Sequence, residues 1–526
     1  MQALILAGGK GTRLAERLGG KPKPLIDVCG VPLLERQIRT LQEHGVEEIL
    51  VLVNHAADQI RDFFNARDFN AKITIIDDGA PRGTAGAVLA CLDLIQPRTL
   101  IVYGDTLFDI DIAHMLAAHD SATADATLLL HPNDHPIDSD LVALNADGYL
   151  TAFHAHPHPL GANLRNLVNA AFYVVEKEAL ARWRDIPVPS DFGHDLFPAM
   201  LAAGQRLFGY VSAEYIKDLG TPTRLDKVER HLTSGLVSLA SRRVLQRAVF
   251  IDRDGTLNRL AGHIATPEAI EMVPDAGAGV RRLNDAGIRT VLVTNQPVIA
   301  RGECDLPTLE RIHGRLEMLL SEQGGYLDRI YFCPHHPHKG YPGEVPELKV
   351  VCACRKPEPG MIESAINDLN IDRNRSWMVG DSSADMLAAN RAGLLAMRVR
   401  TGESDSKHDG VADMIVSDFA AAAKFIAEGY PMLAQTAATA IAALDTGSLV
   451  LVDDQCFAAI VRNELRAAGH TVAANTAEND ETVPAWLSSA TEAVLVMAWP
   501  AARAAPETAR TICRIAAPYP IESRAL

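Results

Sequence analysis

Residues 249–258 read VFIDRDGTLN, from Val249 to Asn258. The apolar run Ala248–Ile251 has the continuous hydrophobic pattern of a strand buried on both faces, which predicts a parallel sheet. That strand delivers Asp252 and Asp254 to a turn at Gly255-Thr256. Two carboxylates two residues apart at a strand end can share a cation and still divide the work. Asp252 then serves as a nucleophile and Asp254 carries the proton. An Asp-x-Asp tripeptide alone decides little, because most such pairs are solvated turn residues. What gives this one weight is the chain that follows.

A helix over 276–286 leads to a strand over 290–293 that ends in Thr294-Asn295-Gln296. A hydroxyl and an amide at a strand tip suit hydrogen bonds to a transferred phosphoryl group. Arg355-Lys356-Pro357 then supplies cations, with Lys356 placed to offset charge on Asp252 and a phosphate together. A strand over 376–379 ends in Gly380-Asp381-Ser382-Ser383-Ala384-Asp385, whose acidic side chains complete a set of hard oxygen ligands of the kind Mg²⁺ takes. Four strand tips in this order, separated by helices, resemble the haloacid dehalogenase-like phosphatases.

Between the second and third tips lies Cys333-Pro334-His335-His336-Pro337, followed after Val351 by Cys352-Ala353-Cys354. Three sulfurs and one imidazole suit tetrahedral Zn²⁺ in a structural site, and the Pro-, Gly- and His-rich loop between them has no core of its own. His335, His336 and His338 are alternative nitrogen ligands by spacing. The combination FIDRDGTLN, VTNQ, CPHHP, CACRKP and GDSSAD resembles the D-glycero-D-manno-heptose 1,7-bisphosphate 7-phosphatases, with histidinol-phosphate phosphatases sharing much of the pattern. The resemblance implies Asp252 as nucleophile, Asp254 as general acid/base, Mg²⁺ on Asp252, Asp254 and Asp381, and Zn²⁺ on Cys333, His335, Cys352 and Cys354. It places Thr294, Asn295, Arg355 and Lys356 at the substrate. One departure stands out: Pro297-Val298 follow the TNQ tip, where relatives usually have a small residue and glycine.

The chain begins with a strand at Ala3–Leu6 and then Ala7-Gly8-Gly9-Lys10-Gly11-Thr12-Arg13-Leu14. Glycines let backbone N–H groups approach a polyphosphate, and Arg13 and Lys23 add charge. Helices over 33–43 and 58–64 alternate with strands over 49–53 and 72–76, the pattern of βαβ units. A second glycine turn, RGTAGAV from Arg82, opens a helix, and a strand over 99–103 ends in Gly104-Asp105. LAGGKGTRL, KPKPL, GTAGA, YGD and DLGTP together resemble the sugar-1-phosphate nucleotidyltransferases over residues 1–235. The resemblance implies that Gly8, Gly9, Gly11, Thr12 and Arg13 cradle a nucleoside triphosphate beside Lys23. Gly83, Thr84 and Gly86 would lie near the nucleoside, Asp105 and Asp218 would hold Mg²⁺, and Asn169 and Asp195 would meet the sugar. Relatives often have glycine where Ala171 stands. His154, His156 and His158 lie among prolines and read as a solvated loop.

At 526 residues the chain is too long for one core. The expected architecture is multidomain α/β. It has a Rossmann-like nucleotidyltransferase sheet at 1–235, a haloacid dehalogenase-like domain at 247–428, and a small α/β segment at 429–526. In that last segment helices are expected near 434–443, 457–468 and 483–489, with strands at 448–452, 471–474 and 493–497; Asp453 and Asp454 read as a solvated turn. The formal charge of −16, from 50 basic and 66 acidic residues, argues against nonspecific nucleic-acid binding. No apolar run has the length of a membrane span, and the N-terminus lacks a signal-peptide pattern, so a cytoplasmic enzyme acting on small molecules is expected. The eight cysteines are scattered apart from the metal-like cluster. The two resemblances are chemically related. Removing the 7-phosphate of a heptose 1,7-bisphosphate leaves the anomeric phosphate that a nucleotidyltransferase consumes, and GTP is the triphosphate expected from that sequence of steps. The rival expectation keeps the phosphatase and makes the N-terminal part a noncatalytic sugar-nucleotide sensor. Oligomeric state is not legible.

Overall fold

The computed structural model describes residues 1–9, 11–54, 56–79, 81–159, 161–403, 411–441, 448–452, 455–469, 471–472, 493–498 and 511–515. The chain divides into two compact units, Met1–Val244 and Leu245–Leu526.

In the first unit, β1 (Gln2–Leu6), β2 (Glu48–Val53), β3 (Lys72–Asp77) and β4 (Arg98–Tyr103) run parallel in the order β3-β2-β1-β4. Helix α1 (Leu33–Glu43) carries Leu33, Leu34, Ile38 and Leu41 at helical spacing, and all four are buried in the core beneath the sheet or beside it. Helix α2 (Ala57–Asn65) contributes Ile60 and Phe63 to the same core. Beyond β4 the sheet turns antiparallel through β9 (Val168–Glu176), which also pairs with β6 (Ala126–His131), β6 in turn with β10 (Leu207–Val211). β7 (Leu141–Leu144) and β8 (Leu150–His154) complete the far edge. A separate ribbon pairs β5 (Thr106–Asp109) with β11 (Tyr215–Asp218). Strand order reverses between β1 and β4, and at such a point the connections diverge and open a crevice beyond the carboxyl ends.

The second unit repeats that logic. β12 (Ala248–Ile251), β13 (Arg289–Asn295), β14 (Arg329–Cys333), β15 (Trp377–Gly380), β16 (Leu395–Val399) and β17 (Met414–Val416) form an all-parallel sheet in the order β14-β13-β12-β15-β16-β17. Every residue of β12 is buried, as its continuous apolar run predicts. Helix α4 (Ala276–Asp285) seals one face with Ala276, Val280 and Leu283. Its first residue lies where sequence periodicity put it. The reversal here falls between β12 and β15, so the tips carrying Asp252 and Asp381 are neighbours.

Residues beyond 429 do not pack on a core of their own where their side chains are described. Helix α6 (Tyr430–Ile441) and helix α7 (Gln455–Ala467) set Tyr430, Leu433, Ile460 and Leu465 into the same cluster as Trp377 of β15. Glu464 pairs with Arg375 at 2.7 Å, tying α7 to the turn before β15. Four parallel strands, at Thr471–Val472, Ala493–Ala498, Ser448–Val452 and Thr511–Ile515 in sheet order, make a small second sheet. The helix expected at 483–489, and Asp453 and Asp454, lie outside the described residues.

Candidate active sites

The tip of β12 places Asp252 against a buried lysine. Lys356 Nζ donates to Asp252 Oδ1 at 2.6 Å, to Asp385 Oδ1 at 2.6 Å and to the carbonyl of Val293 at 2.8 Å. Asp385 belongs to helix α5 (Ser383–Ala392), where its other oxygen accepts from Ser382 N and Oγ and closes the helix N-terminus. One carboxylate thus anchors both the helix and the lysine. Asn295 holds the lysine's backbone from the other side: its Oδ1 accepts from Lys356 N and its Nδ2 donates to Lys356 O, each at 3.0 Å. The sequence suggested that Asn295 faces a substrate; here its amide is spent on positioning Lys356. Thr294, also expected at the substrate, is buried and accepts from Gln296 Nε2 at 2.8 Å.

Asp252, Asp381 and Asp385 bring carboxylate oxygens within 4.8 Å of one another. Burial raises the Asp252 carboxyl above its ordinary range against the pull of Lys356, and Asp385 and Asp381 add to the rise. Asp381 is pushed up to about 7, by burial first and then by Asp385. Glycine is required around this group. Gly255 has φ +83°, and a Cβ there would stand 2.4 Å from Asp381 Oδ2; one on Gly402 would also clash with that oxygen. A crowded, buried, mutually repelling set of hard oxygens in a glycine cradle fits a divalent cation such as Mg²⁺.

The Asp254 side chain departs from the expected ligand set. It accepts from Asn258 Nδ2 and Gln296 Nε2, each at 3.0 Å, and pairs with fully buried Arg253 at 2.9 Å. The carboxylates that draw together are those of Asp252, Asp381 and Asp385. The physical reason is local: Arg253, lodged in the core, needs a carboxylate, and Asp254 is the neighbour within reach.

The Cys/His loop forms as expected. Cys354 Sγ lies 3.3 Å from Cys333 Sγ, 3.2 Å from Cys352 Sγ and 3.3 Å from His335 Nδ1, and Cys333 Sγ lies 3.6 Å from Cys352 Sγ. These separations are too long for disulfides, and three sulfurs and an imidazole drawn this close together suit a tetrahedral Zn²⁺ site. Among the three histidines the geometry selects His335; His336 Nδ1 faces the His338 carbonyl instead. Arg355 Nη1 donates to the His335 carbonyl at 3.2 Å, so the loop and the strand-tip site are physically joined.

In the first unit a cavity of about 500 Å³ opens at the carboxyl ends of β1 and β4. Gly8, Gly9, Lys23, Gly83, Thr84 and Asp105 line it, as the sequence predicts. Gly83 has φ +74°, and a Cβ there would meet the Ser190 carbonyl at 2.2 Å, so the second glycine turn can approach its neighbour only without a side chain. Gly86, in the helix that follows (Gly83–Ala90), faces Ser190. Gly11 takes φ +62° just ahead of the turn Thr12–Leu14. Lys23 Nζ reaches Asp105 Oδ2 at 2.5 Å. Asp218 is brought alongside by the β5–β11 ribbon, with Leu219 N donating to the Asp105 carbonyl at 2.8 Å. Arg224 Nη1 meets Asp218 Oδ2 at 2.6 Å, and Gly220 sits between these two and Arg13. Lys23 and Asp105 thus line the cavity, whereas Arg13 and Asp218, and with them Gly11, Thr12 and Gly86, stand outside its lining.

The sugar-contact expectations fare differently. Asn169 donates to the Tyr173 hydroxyl at 3.0 Å, Asp195 accepts from Asp191 N at 2.7 Å, and neither lines the cavity. Asp191 does line it, held by Thr84 Oγ1 at 2.6 Å. Sequence reading also passed over Asp78 and Asn54, which face the cavity with Asn54 Nδ2 donating to Asp78 Oδ1 at 2.7 Å. The available signal was position: both follow the tips of parallel strands, β3 and β2.

Comparison with known proteins agrees with this geometry. Residues 2–235 match the Nucleotidyl transferase family model and residues 353–422 the HAD-hydrolase-like model. The D-glycero-beta-D-manno-heptose-1,7-bisphosphate 7-phosphatase of Haemophilus ducreyi is 40% identical over 178 residues, 32% of this chain and 95% of that protein. The chain belongs to the D-glycero-D-manno-heptose-1,7-bisphosphate 7-phosphatase family. The family member of Thermosynechococcus vestitus is 38% identical over 188 residues, 34% of this chain and 94% of that protein. Among solved structures, HddC of Yersinia pseudotuberculosis is 25% identical, covering 44% of this chain and 99% of that one, with a TM-score of 0.39. The family members account for about a third of the chain, and the nucleotidyl transferase unit is additional. The protein is thus an enzyme with phosphatase and nucleotidyltransferase activities. Among the described residues no helix is long and apolar enough to cross a membrane.

Proposed function

We propose that the protein carries out two successive steps of nucleotide-activated heptose synthesis in the cytoplasm. The second unit removes the 7-phosphate of D-glycero-D-manno-heptose 1,7-bisphosphate. The first transfers a guanylyl group from GTP to the heptose 1-phosphate that remains. The observation that carries this reading is the union in one chain of a heptose-bisphosphate phosphatase family member with a nucleotidyl transferase unit. The product of the first chemistry is the substrate class of the second.

In the phosphatase step an Asp252 oxygen attacks phosphorus and the sugar oxygen leaves, taking a proton from Asp254. Asp254 then takes a proton from the water that hydrolyses the aspartyl-phosphate, which frees Asp252 and inorganic phosphate. Lys356 offsets negative charge on Asp252 and the transferred group. Mg²⁺ held by Asp252, Asp381 and Asp385 would neutralise further charge on the phosphate. Zn²⁺ on Cys333, His335, Cys352 and Cys354 would have a structural role, ordering the loop that holds Arg355.

In the nucleotidyl step an oxygen of the sugar phosphate attacks the α-phosphorus, and pyrophosphate departs. Arg13 and Lys23 stabilise the departing charge, while Asp105 and Asp218 would hold Mg²⁺. The choice of GTP is supported by Asp78. A carboxylate oriented by Asn54 at the cavity wall complements the adjacent N1–H and N2–H donors of guanine, and adenine offers no such pair.

The reading is tested by separating the activities. Asp252→Asn should abolish phosphate release from heptose 1,7-bisphosphate and spare pyrophosphate release from supplied heptose 1-phosphate and GTP. Asp105→Asn should do the reverse. Loss of both activities in either variant, with the fold intact, would refute two independent sites.

A further inference from the structure

Five residues of α1 are buried, Leu33, Leu34, Gln37, Ile38 and Leu41, and their spacing is that of one helical stripe. Four are aliphatic. The fifth, Gln37, carries an amide into a position where another aliphatic side chain would complete the apolar face, and only 2% of its surface is exposed. Its Nε2 donates twice, to the Tyr103 carbonyl at 2.9 Å and to the Thr106 carbonyl at 2.7 Å. Its Oε1 is buried and has no hydrogen-bond partner. An amide nitrogen has two hydrogens to give, and both are used here. A buried carbonyl oxygen left unpaired costs stability, so the two donated bonds, and not the packing, set Gln37 apart from the leucines around it.

Those bonds close on one turn. Tyr103 ends β4, Thr106 begins β5, and Gly104 and Asp105 lie between them. Thr106 Oγ1 also donates to the Tyr103 carbonyl, at 2.8 Å. Gly104 N donates to the Leu6 carbonyl at 2.9 Å, and a Cβ on Gly104 would stand 2.8 Å from that oxygen, so the turn lies tight against the tip of β1. Leu219 N holds the Asp105 carbonyl at 2.8 Å. Gln37 thus fixes both ends of the turn that carries Asp105 to the cavity. Gln37 itself stands outside the lining of that cavity, so any effect of its loss on the site passes through the turn.

We propose that Gln37 is a positioning residue for the metal carboxylate of the nucleotidyl site, clamping the turn at 103–106 so that Asp105 is preset for Mg²⁺. This deepens the nucleotidyl reading and rests on its assignment of Asp105 as a ligand. Mg²⁺ demands near-ideal octahedral geometry, so a carboxylate that shifts with its turn binds the ion less tightly. The chemistry of the site once assembled is unchanged. Loss of the clamp therefore raises the Mg²⁺ concentration the enzyme needs and leaves turnover at saturating Mg²⁺ near normal. The competing role is mechanical, a buried amide that only ties α1 to the sheet. It predicts lower stability with the metal requirement unmoved.

The test uses the full-length protein with Gln37→Met, which keeps the length of the side chain and removes both donors. Half-maximal pyrophosphate release from heptose 1-phosphate and GTP should need at least about tenfold more Mg²⁺ than in the wild type, with kcat at saturating Mg²⁺ within about threefold. Mn²⁺ binding in the presence of GTP and without sugar phosphate, followed by electron paramagnetic resonance, gives a readout free of turnover. Each protein is compared with its own Asp105→Asn counterpart, which subtracts the ions held by the second unit and by free nucleotide. The Asp105-dependent Mn²⁺ should be bound at least about tenfold more weakly in Gln37→Met. Gln37→Glu keeps the shape and can donate at most one bond, and that only when protonated. It should shift both constants the same way, and it decides the matter if the methionine variant does not fold. Both constants within about twofold of wild type in the folded variants would overturn the proposal. So would a fall in kcat at every Mg²⁺ concentration with Mn²⁺ binding unchanged, the sign of a purely mechanical role. A wild type with no Asp105-dependent Mn²⁺ would overturn it together with the metal assignment. A wild type that releases no pyrophosphate but binds Asp105-dependent Mn²⁺, more weakly once Gln37 is replaced, would refute the nucleotidyl reading and leave the role of Gln37 standing.

Discussion

Lys356 joins Asp252 to Asp385, its ammonium 2.6 Å from an oxygen of each, and all three side chains are buried. Burial pulls the lysine's pKa down, but the two carboxylates outweigh it and hold the group protonated. The nucleophile therefore sits beside a fixed positive charge that depends on Asp385 and on the Asn295 clamp for its position. Lys356→Met should lower phosphate release at least about a hundredfold, as loss of a preorganised electrostatic contact does. Pyrophosphate release by the first unit serves as the control for intact protein. Phosphatase turnover near the wild-type rate would remove Lys356 from the mechanism.

Zinc content is the next check. Purified protein should carry about one zinc per chain, and Cys352→Ser should lower that content and the thermal stability of the second unit together. His336→Ala should leave zinc content unchanged, since His335 supplies the nitrogen that faces the sulfurs. Zinc-free protein from a chelator-free preparation, with full phosphatase activity, would contradict the structural site.

A half-buried carboxylate in the first unit gives a pH-dependent prediction. Asp134 accepts from His135 Nδ1 at 2.7 Å and Lys227 Nζ at 2.6 Å, with Lys217 Nζ at 3.4 Å. Burial works to raise its pKa, but the bond from His135 and the charges of Lys217 and Lys227 outweigh it and hold the group well below the usual carboxylate range. A depressed folded-state pKa stabilises the fold above the unfolded value, about 4, and the contribution is lost as pH falls below it. Asp134→Asn should cost about 2–3 kcal/mol at pH 7, with the difference from wild type shrinking progressively below about pH 4. Denaturant titrations at pH 7 and pH 3.5 measure it. An equal difference at both would show that the carboxylate's charge is not what stabilises.

Ala171 occupies a bulge in β9 at φ +56°, in the left-handed region where a Cβ is strained. A glycine there would adopt this backbone without that strain. Ala171→Gly should raise the stability of the first unit by about 1 kcal/mol, despite the greater freedom glycine gives the unfolded chain. A destabilised variant would mean that the methyl group's packing outweighs the backbone strain.

These cases mark where sequence reading succeeds and where it stops. The strand tips were legible because a buried parallel strand is a continuous apolar run and its first polar residue must lie at the end, as with Asp252, Asp381 and Asp105. The Cys/His cluster was legible by spacing, apart from the choice among three neighbouring histidines, which depends on which ring the loop turns inward. The partners of the Asp254 side chain were not legible, because its carboxylate answers to buried Arg253, and the burial of a side chain flanked by two acids has no sequence signal. Asn169 and Asp195 were placed by motif, yet their side chains are taken by Tyr173 and Asp191 N, contacts that arise only once β9 and the turn around 191–195 are packed. The helices at 430–441 and 455–467 had clear periodicity, but nothing in it told which core they would join.

The central claim is that one chain performs both steps in order. Wild-type protein with Mg²⁺ and heptose 1,7-bisphosphate, given GTP, ATP, UTP or CTP in turn, tests it when phosphate and pyrophosphate are followed separately. Phosphate should appear with every nucleotide and without any. Pyrophosphate should follow it only with GTP, after a lag that vanishes when heptose 1-phosphate is supplied instead. Phosphate release with no pyrophosphate from any of the four, using the correct anomer, would contradict the account and leave the first unit as a sensor.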